Sequence, residues 1–146
     1  MNKTFLTIFG LQFFSLVIDE FYFHYKRGLP KWERIGHPLD TITIILCFGF
    51  LNFYSVSETN IKIYAFLAVF SSIFVTKDEA VHLKECCAKE QWLHALLFLL
   101  HPTALFTSYL LWLNGDTFWI YNLFLGSCVF LIYQIIFWNF IWKKKQ

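Results

Sequence analysis

The chain has little charge. Only 15% of its 146 residues are Asp, Glu, Lys or Arg, while 58% are hydrophobic and 22% aromatic. A soluble domain carries about 25% charge, so this composition sets aside the soluble globular class and implies a membrane protein. The net charge of +2 is too small to suggest nucleic acid, and no nucleic-acid-reading motif is present. No glycine-rich phosphate loop and no serine-hydrolase elbow occurs. The four cysteines lack a CxxC spacing, which argues against a cysteine zinc cage. Adjacent Cys86 and Cys87 seldom bond to each other and are expected as free thiols. With five histidines the chain also falls short of the eight-histidine boxes of membrane desaturases.

Long apolar runs are what it does have. Five can be drawn, at 4–23, 38–56, 61–82, 92–113 and 118–142, each near the ~20 residues that cross a bilayer as a helix. The first lacks a small-residue cleavage site and ends in acids, so a retained helix is expected rather than a signal peptide. The segments "RGLPKWERIGHP", "SVSETN" and "NGD" supply turn chemistry between spans. The boundary "ECCAKEQ" has neither Gly nor Pro, and a reversal there rests on length alone. The expected fold is all-α: a polytopic membrane helical bundle of five transmembrane helices forming one domain over 1–146.

Charge bias orients it. Five spans place ten of the twelve basic residues, Lys143 to Lys145 included, on one side. The positive-inside rule makes that side cytoplasmic, with the N-terminus outside and the C-terminus inside. A bacterial inner membrane is the expected location. All five histidines and eight of the ten acids gather on this same side.

The halves resemble each other. "DEFYFH" (19–24) and "WERIGHP" (32–38) are matched by "DEAVH" (78–82) and "KEQWLHA" (89–95). This suggests a two-fold internal parallel repeat, spans one and two against three and four. The fifth span has no ionisable residue before Lys143 and is expected to be a scaffold helix.

Residues three or four apart share a helix face. Glu20/His24, Glu33/His37, Glu79/His82 and Glu90/His94 therefore each present a carboxylate with an imidazole, and these eight are the expected metal ligands. Such a set suits iron, manganese or zinc, and the layout resembles carboxylate–histidine sites built inside four-helix bundles. It exceeds what one ion takes, so two ions are expected, iron favoured. Asp40, Asp78 and Glu85 are expected to orient the histidines from behind, a place open to Asp19 as well. Asp19 and His101 lie deepest along their spans, and both are candidate catalytic residues. His101, beside Pro102, is expected to face a substrate cavity near Phe98 and Phe106 or to bond a carbonyl freed by the proline.

The function these residues imply is a metal-dependent membrane enzyme acting on a membrane lipid or other lipid-soluble substrate. Redox metals would make it an oxygenase, hydroxylase or desaturase; zinc would make it a lipid hydrolase. A divalent-cation or proton transporter and a haem-binding bundle are the alternatives. Lys26, Arg27, Lys31 and Arg34 read as topology determinants or a headgroup site, and the tryptophans at span ends as interface anchors.

Overall fold

A computed structural model describes residues 3–142, and all of its regular structure is helical. Five helices are long and apolar enough to cross a membrane: α1 (Lys3–Arg27), α2 (Glu33–Phe53), α3 (Glu58–Glu85), α4 (Ala88–Leu113) and α5 (Thr117–Ile141). At ~1.5 Å per residue even the shortest spans the ~30 Å hydrocarbon layer of a bilayer. Lys143 to Lys145, which weigh in the charge count, lie outside the described residues.

The boundaries follow local chemistry. Gly28 (φ 79°) and Gly115 (φ 72°) take the left-handed backbone that side chains resist, and each ends a helix. Ser57 caps α3 by accepting the Asn60 N–H at 3.2 Å. The reversal at "ECCAKEQ" does occur: Cys86 and Cys87 are both extended, and one turn separates α3 from α4. α2 starts at Glu33, five residues before the expected 38, and runs through Pro38. The proline, sixth residue of the helix, removes the backbone donor that would reach the Arg34 carbonyl, a cost the helix bears in its second turn. As a result Glu33 and His37 are helical and face neighbouring helices.

Helices α2 and α4 are central. α5 lies along α2, α1 lies along α4, and α3 packs against both central helices. The apolar core sits at one end, where Cys47, Phe48, Leu51, Leu105, Leu111 and Ile120 are buried together. At that end Tyr64 Oη donates to the Leu105 carbonyl (2.7 Å) and Trp112 Nε1 to the Tyr54 carbonyl (2.9 Å), so their polar tips are satisfied.

The other end is polar and irregular. α1 widens into π-helix over Asp19–His24, and α3 tightens into 3-10 helix over Val75–Asp78. Single π or 3-10 turns inside longer helices often mark functional positions. Two contacts close this end. Trp142 lies over Gly28, where a Cβ would run into its ring. Asp78 lies against Gly36, where a Cβ would meet its Oδ2 at 2.8 Å. Only glycine allows those approaches.

Candidate metal centre

Four of the five histidines form a ring. Successive ring centroids are 4.7 Å apart for His24 and His37, 6.4 Å for His37 and His82, 4.2 Å for His82 and His94, and 6.1 Å for His94 and His24. Each comes from a different helix, α1 to α4 in order. His24, His82 and His94 are buried, and His37 is nearly so. Both ends of each connection contribute: the last turns of α1 and α3 and the second turns of α2 and α4.

The carboxylates exchange partners across helices. Glu20 alone keeps the within-helix pairing as a hydrogen bond, to His24 Nδ1 at 3.3 Å. Asp19 Oδ1 accepts from His94 Nε2 at 3.0 Å, and its Oδ2 lies 3.3 Å from His24 Nε2. Glu33 approaches His82 Nε2 at 3.8 Å, and Glu90 approaches His24 Nε2 at 4.0 Å. The π turn explains why Asp19 and Glu20 both reach His24. Its i to i+5 repeat brings the residue five positions back onto the same face as the one four back.

A cation holds the two halves together. Arg27 Nη2 donates to Glu33 Oε2 (2.9 Å) and to Glu90 Oε1 (3.0 Å), and its Nε also donates to Glu90 (3.1 Å). The expectation for Arg27 was topology or headgroup binding; the structure instead turns it inward between two buried carboxylates. Uncompensated charges of that kind would cost several kcal/mol each. Its position three residues after His24, on the same helical face, was the available signal.

Several expected site residues are placed elsewhere. Glu79 was expected as a ligand, but its side chain is 48% exposed and lies 4.0 Å from His82 Nδ1 at the rim. Glu85 was expected to orient a histidine, and it lies on the surface. Asp78 accepts from Trp32 Nε1 and from Lys77 Nζ (2.8 Å), and Asp40 pairs with the same Lys77 at 2.6 Å. Asp40 and Asp78 thus hold α2 against α3 and are not hydrogen-bonded behind the ring. The fifth helix is more than scaffold. Trp138 Nε1 donates to buried Glu20 Oε1, and Gln134 Oε1 accepts from Thr41 Oγ1 at 2.7 Å. Nothing in the sequence separates Trp138 from the other span-end tryptophans. Cys86 is not an activated thiol: burial, with Glu90 nearby, raises its pKa.

His101 stands apart, seven residues or ~10 Å further along α4 than His94. Its Nε2 lies 3.0 Å from Ser71 Oγ, which is 2.7 Å from Thr43 Oγ1. The partner is therefore a serine on α3, in place of the carbonyl expected from Pro102.

The ring keeps coordination capacity. Buried His24 Nε2, His37 Nε2, His94 Nδ1 and both His82 nitrogens have no hydrogen-bond partner among the described residues, nor does Glu33 Oε1. Buried polar atoms are normally satisfied, so such a concentration points to a ligand. Asp19, His24, Glu90 and His94 each offer a donor atom within 4.8 Å of the others, as do His24, Glu33 and His37. Donors on one ion at ~2.1 Å lie ~3.0–3.4 Å apart at neighbouring octahedral or tetrahedral positions, so side-chain shifts of up to about 1–2 Å would complete either group.

The ring opens onto a cavity of about 500 Å³ running along the bundle between α1, α2, α4 and α5. Asp19, His37, His82 and His94 border its polar end, and His101 lies further along it. Phe98 lines it as expected, whereas Phe106 is exposed and does not. No protein-family model, curated protein or solved structure matches this chain. The chemistry of the ring and its cavity is thus the basis for a function.

Proposed function

We propose that the protein is an integral membrane enzyme whose carboxylate–histidine centre binds two metal ions and acts on a lipid-soluble molecule. The observation carrying this reading is the buried ring of four imidazoles, five of whose nitrogens lack partners, set among carboxylates at the mouth of an apolar cavity. Two ions would divide the donors: Asp19, Glu90 and His94 at one, Glu33 and His37 at the other, with His24 in reach of both groups and His82 beside Glu33. Such a mixed nitrogen and oxygen donor set suits iron, manganese or zinc, and iron is the ion we propose. A redox pair of ions supplies oxidative chemistry of the oxygenase, hydroxylase or desaturase kind; a zinc centre supplies hydrolysis instead.

The chain's own residues prepare the centre. Asp19 accepts from His94 and lies beside His24, so it draws these two ligands of the same ion together. Arg27 holds Glu33 and Glu90 at one separation and offsets their charge. Trp138 anchors Glu20, which in turn positions the other nitrogen of His24. Such outer partners fix ring tautomers and are worth about 10–100-fold in metal affinity.

The transporter alternative draws less support. The polar groups run from the ring through His101, Ser71 and Thr43, then give way to the apolar cluster around Phe48 and Leu51. Asn52, beyond them, is tied to the Phe48 and Ile120 carbonyls. A haem would need a flat slot between two imidazoles, and here carboxylates and other imidazoles fill the spaces. In our reading the centre lies at the cytoplasmic end, with the N-terminus outside. The packing of α1 on α4 and of α3 on α2 is what a parallel repeat about the membrane normal would produce.

Elemental analysis of the full chain purified into lipid nanodiscs tests the main reading. About two equivalents of iron or manganese are expected, falling to one or fewer in His24→Ala and Glu90→Ala while both variants remain inserted. Wild-type protein without metal after anaerobic reconstitution with Fe(II), Mn(II) and Zn(II) overturns it. A C-terminal reporter active only outside the cytoplasm overturns the orientation.

A further inference from the structure

Helices α1 and α5 both flank the cavity yet scarcely approach each other along their backbones. They meet through side chains at the polar end, where Trp138 reaches Glu20 and Phe21 packs on Tyr133 at 5.4 Å. Beyond that seal the two helices present facing stripes. On α1 the cavity is lined by Phe9, Gln12, Phe13 and Leu16; on α5 by Leu123, Gly126, Ser127 and Phe130. Both series run i, i+3, i+4, i+7, so each is one continuous helix face.

We propose that the gap between α1 and α5 is a lateral doorway through which a hydrocarbon chain slides from the bilayer into the cavity, bringing its reactive segment to the histidine ring, and that Gly126 sets its width. This names the kind of substrate and its route for the centre described above, and so rests on that reading for its purpose.

Three observations support it. First, the lining is predominantly apolar, and such cavities are poorly hydrated. In a membrane-spanning bundle the apolar material on the far side of a helix gap is lipid chain. Second, the cavity volume of about 500 Å³ falls within the ~300–1,000 Å³ of sites that enclose a whole small ligand. Third, Gly126 lines the cavity, and a Cβ built there meets nothing within 4 Å. The glycine is therefore not needed for helix packing; what its missing side chain leaves is open passage. The buried Gln12 Oε1 has no partner among the described residues and lies on the opposite wall, so the doorway also holds one hydrogen-bond acceptor for a polar group along the chain.

The doorway is tested on full-length protein in phospholipid nanodiscs doped with hexadecanoic acid carrying a terminal diazirine, photolysed and mapped by mass spectrometry. Adducts are expected to concentrate on cavity-lining positions of α1 and α5. Gly126→Trp should lower them by about tenfold, and Gly126→Leu by less, since each tenfold in occupancy needs only ~1.4 kcal/mol. Gly10→Trp is the control: it too is open to a Cβ but lies outside the cavity lining, and its labelling should match wild type. Adducts spread evenly over all lipid-facing positions, or unchanged labelling in both Gly126 variants, would overturn the proposal. Metal content separates the two readings. Normal labelling without metal removes the enzyme and leaves the doorway, whereas a metal-loaded protein without cavity adducts removes the doorway alone.

Discussion

At the end of α1, Asp19 and Glu20 both turn inward to His24; at the end of α3, Asp78 turns to Trp32 and Lys77 while Glu79 faces outward. The two segments carry the same Asp-Glu-then-His pattern, and both histidines enter the ring. What differs is helical winding. The π stretch of α1 puts two consecutive carboxylates within reach of one imidazole, while the 3-10 stretch of α3 over Val75–Asp78 precedes an outward Glu79. The partner helices widen the contrast. Glu20 is covered by Trp138 of α5, and no counterpart of α5 covers Glu79. An internal sequence echo thus yields one end that builds a centre and one that mostly braces it.

The sharpest way to break this comparison is to remove the cation that serves both ends. Arg27→Ala leaves Glu33 and Glu90 buried without their cation, and stripping one partner from a buried pair costs about 3–5 kcal/mol. Thermal unfolding in detergent should show the largest loss of any variant here, and Arg27→Lys should recover only part, because one ammonium cannot reproduce the fork.

Next comes the indole that singles out the α1 end. Trp138→Phe deprives Glu20 of its donor, and a hydrogen bond to a charged group is worth about 1.5–3 kcal/mol. The same change at Trp32, which donates to Asp78 from a half-exposed ring, should cost less, since Lys77 still holds that carboxylate. Equal losses at the two positions would mean that the ends are energetically alike.

Asp19→Asn and Asp78→Asn separate building from bracing. We expect metal affinity to fall by more than about 100-fold in the first, where one ion loses a direct carboxylate ligand, a larger loss than an outer partner's removal causes. In the second it should stay within about twofold, as for groups outside a ligand network. Competition against a chelator of known affinity reads both values. The smallest effect is expected at Glu79→Gln, whose half-exposed carboxylate should change stability by no more than about 0.5 kcal/mol and leave metal content unchanged. Loss of metal there would restore Glu79 as a ligand.

Much of this was legible in the sequence because it depends on local terms. Five apolar runs of sufficient length dictate five helices, since a buried backbone must satisfy its own hydrogen bonds. Helical spacing likewise brings Glu20 and His24 to one face, though not Glu79 and His82, and the gathering of histidines toward one end of the spans made a cluster of four of them foreseeable. Even the turn at Cys86 and Cys87 followed from length alone.

Which carboxylate meets which imidazole was decided only in the folded bundle. Spacing within one helix says that Glu90 and His94 point the same way, but the depth and rotation of α1 against α4 put Asp19 on His94 and bring Glu90 toward His24. Arg27, Trp138 and Lys77 reach Glu90, Glu20 and Asp40 across 37 or more residues of chain, and no periodicity encodes such partners. The physical reason is one of range. Helix formation and burial are read from neighbours a few residues apart, whereas a charge buried at the meeting of four helices takes its partners from whatever the packing brings within 3–4 Å.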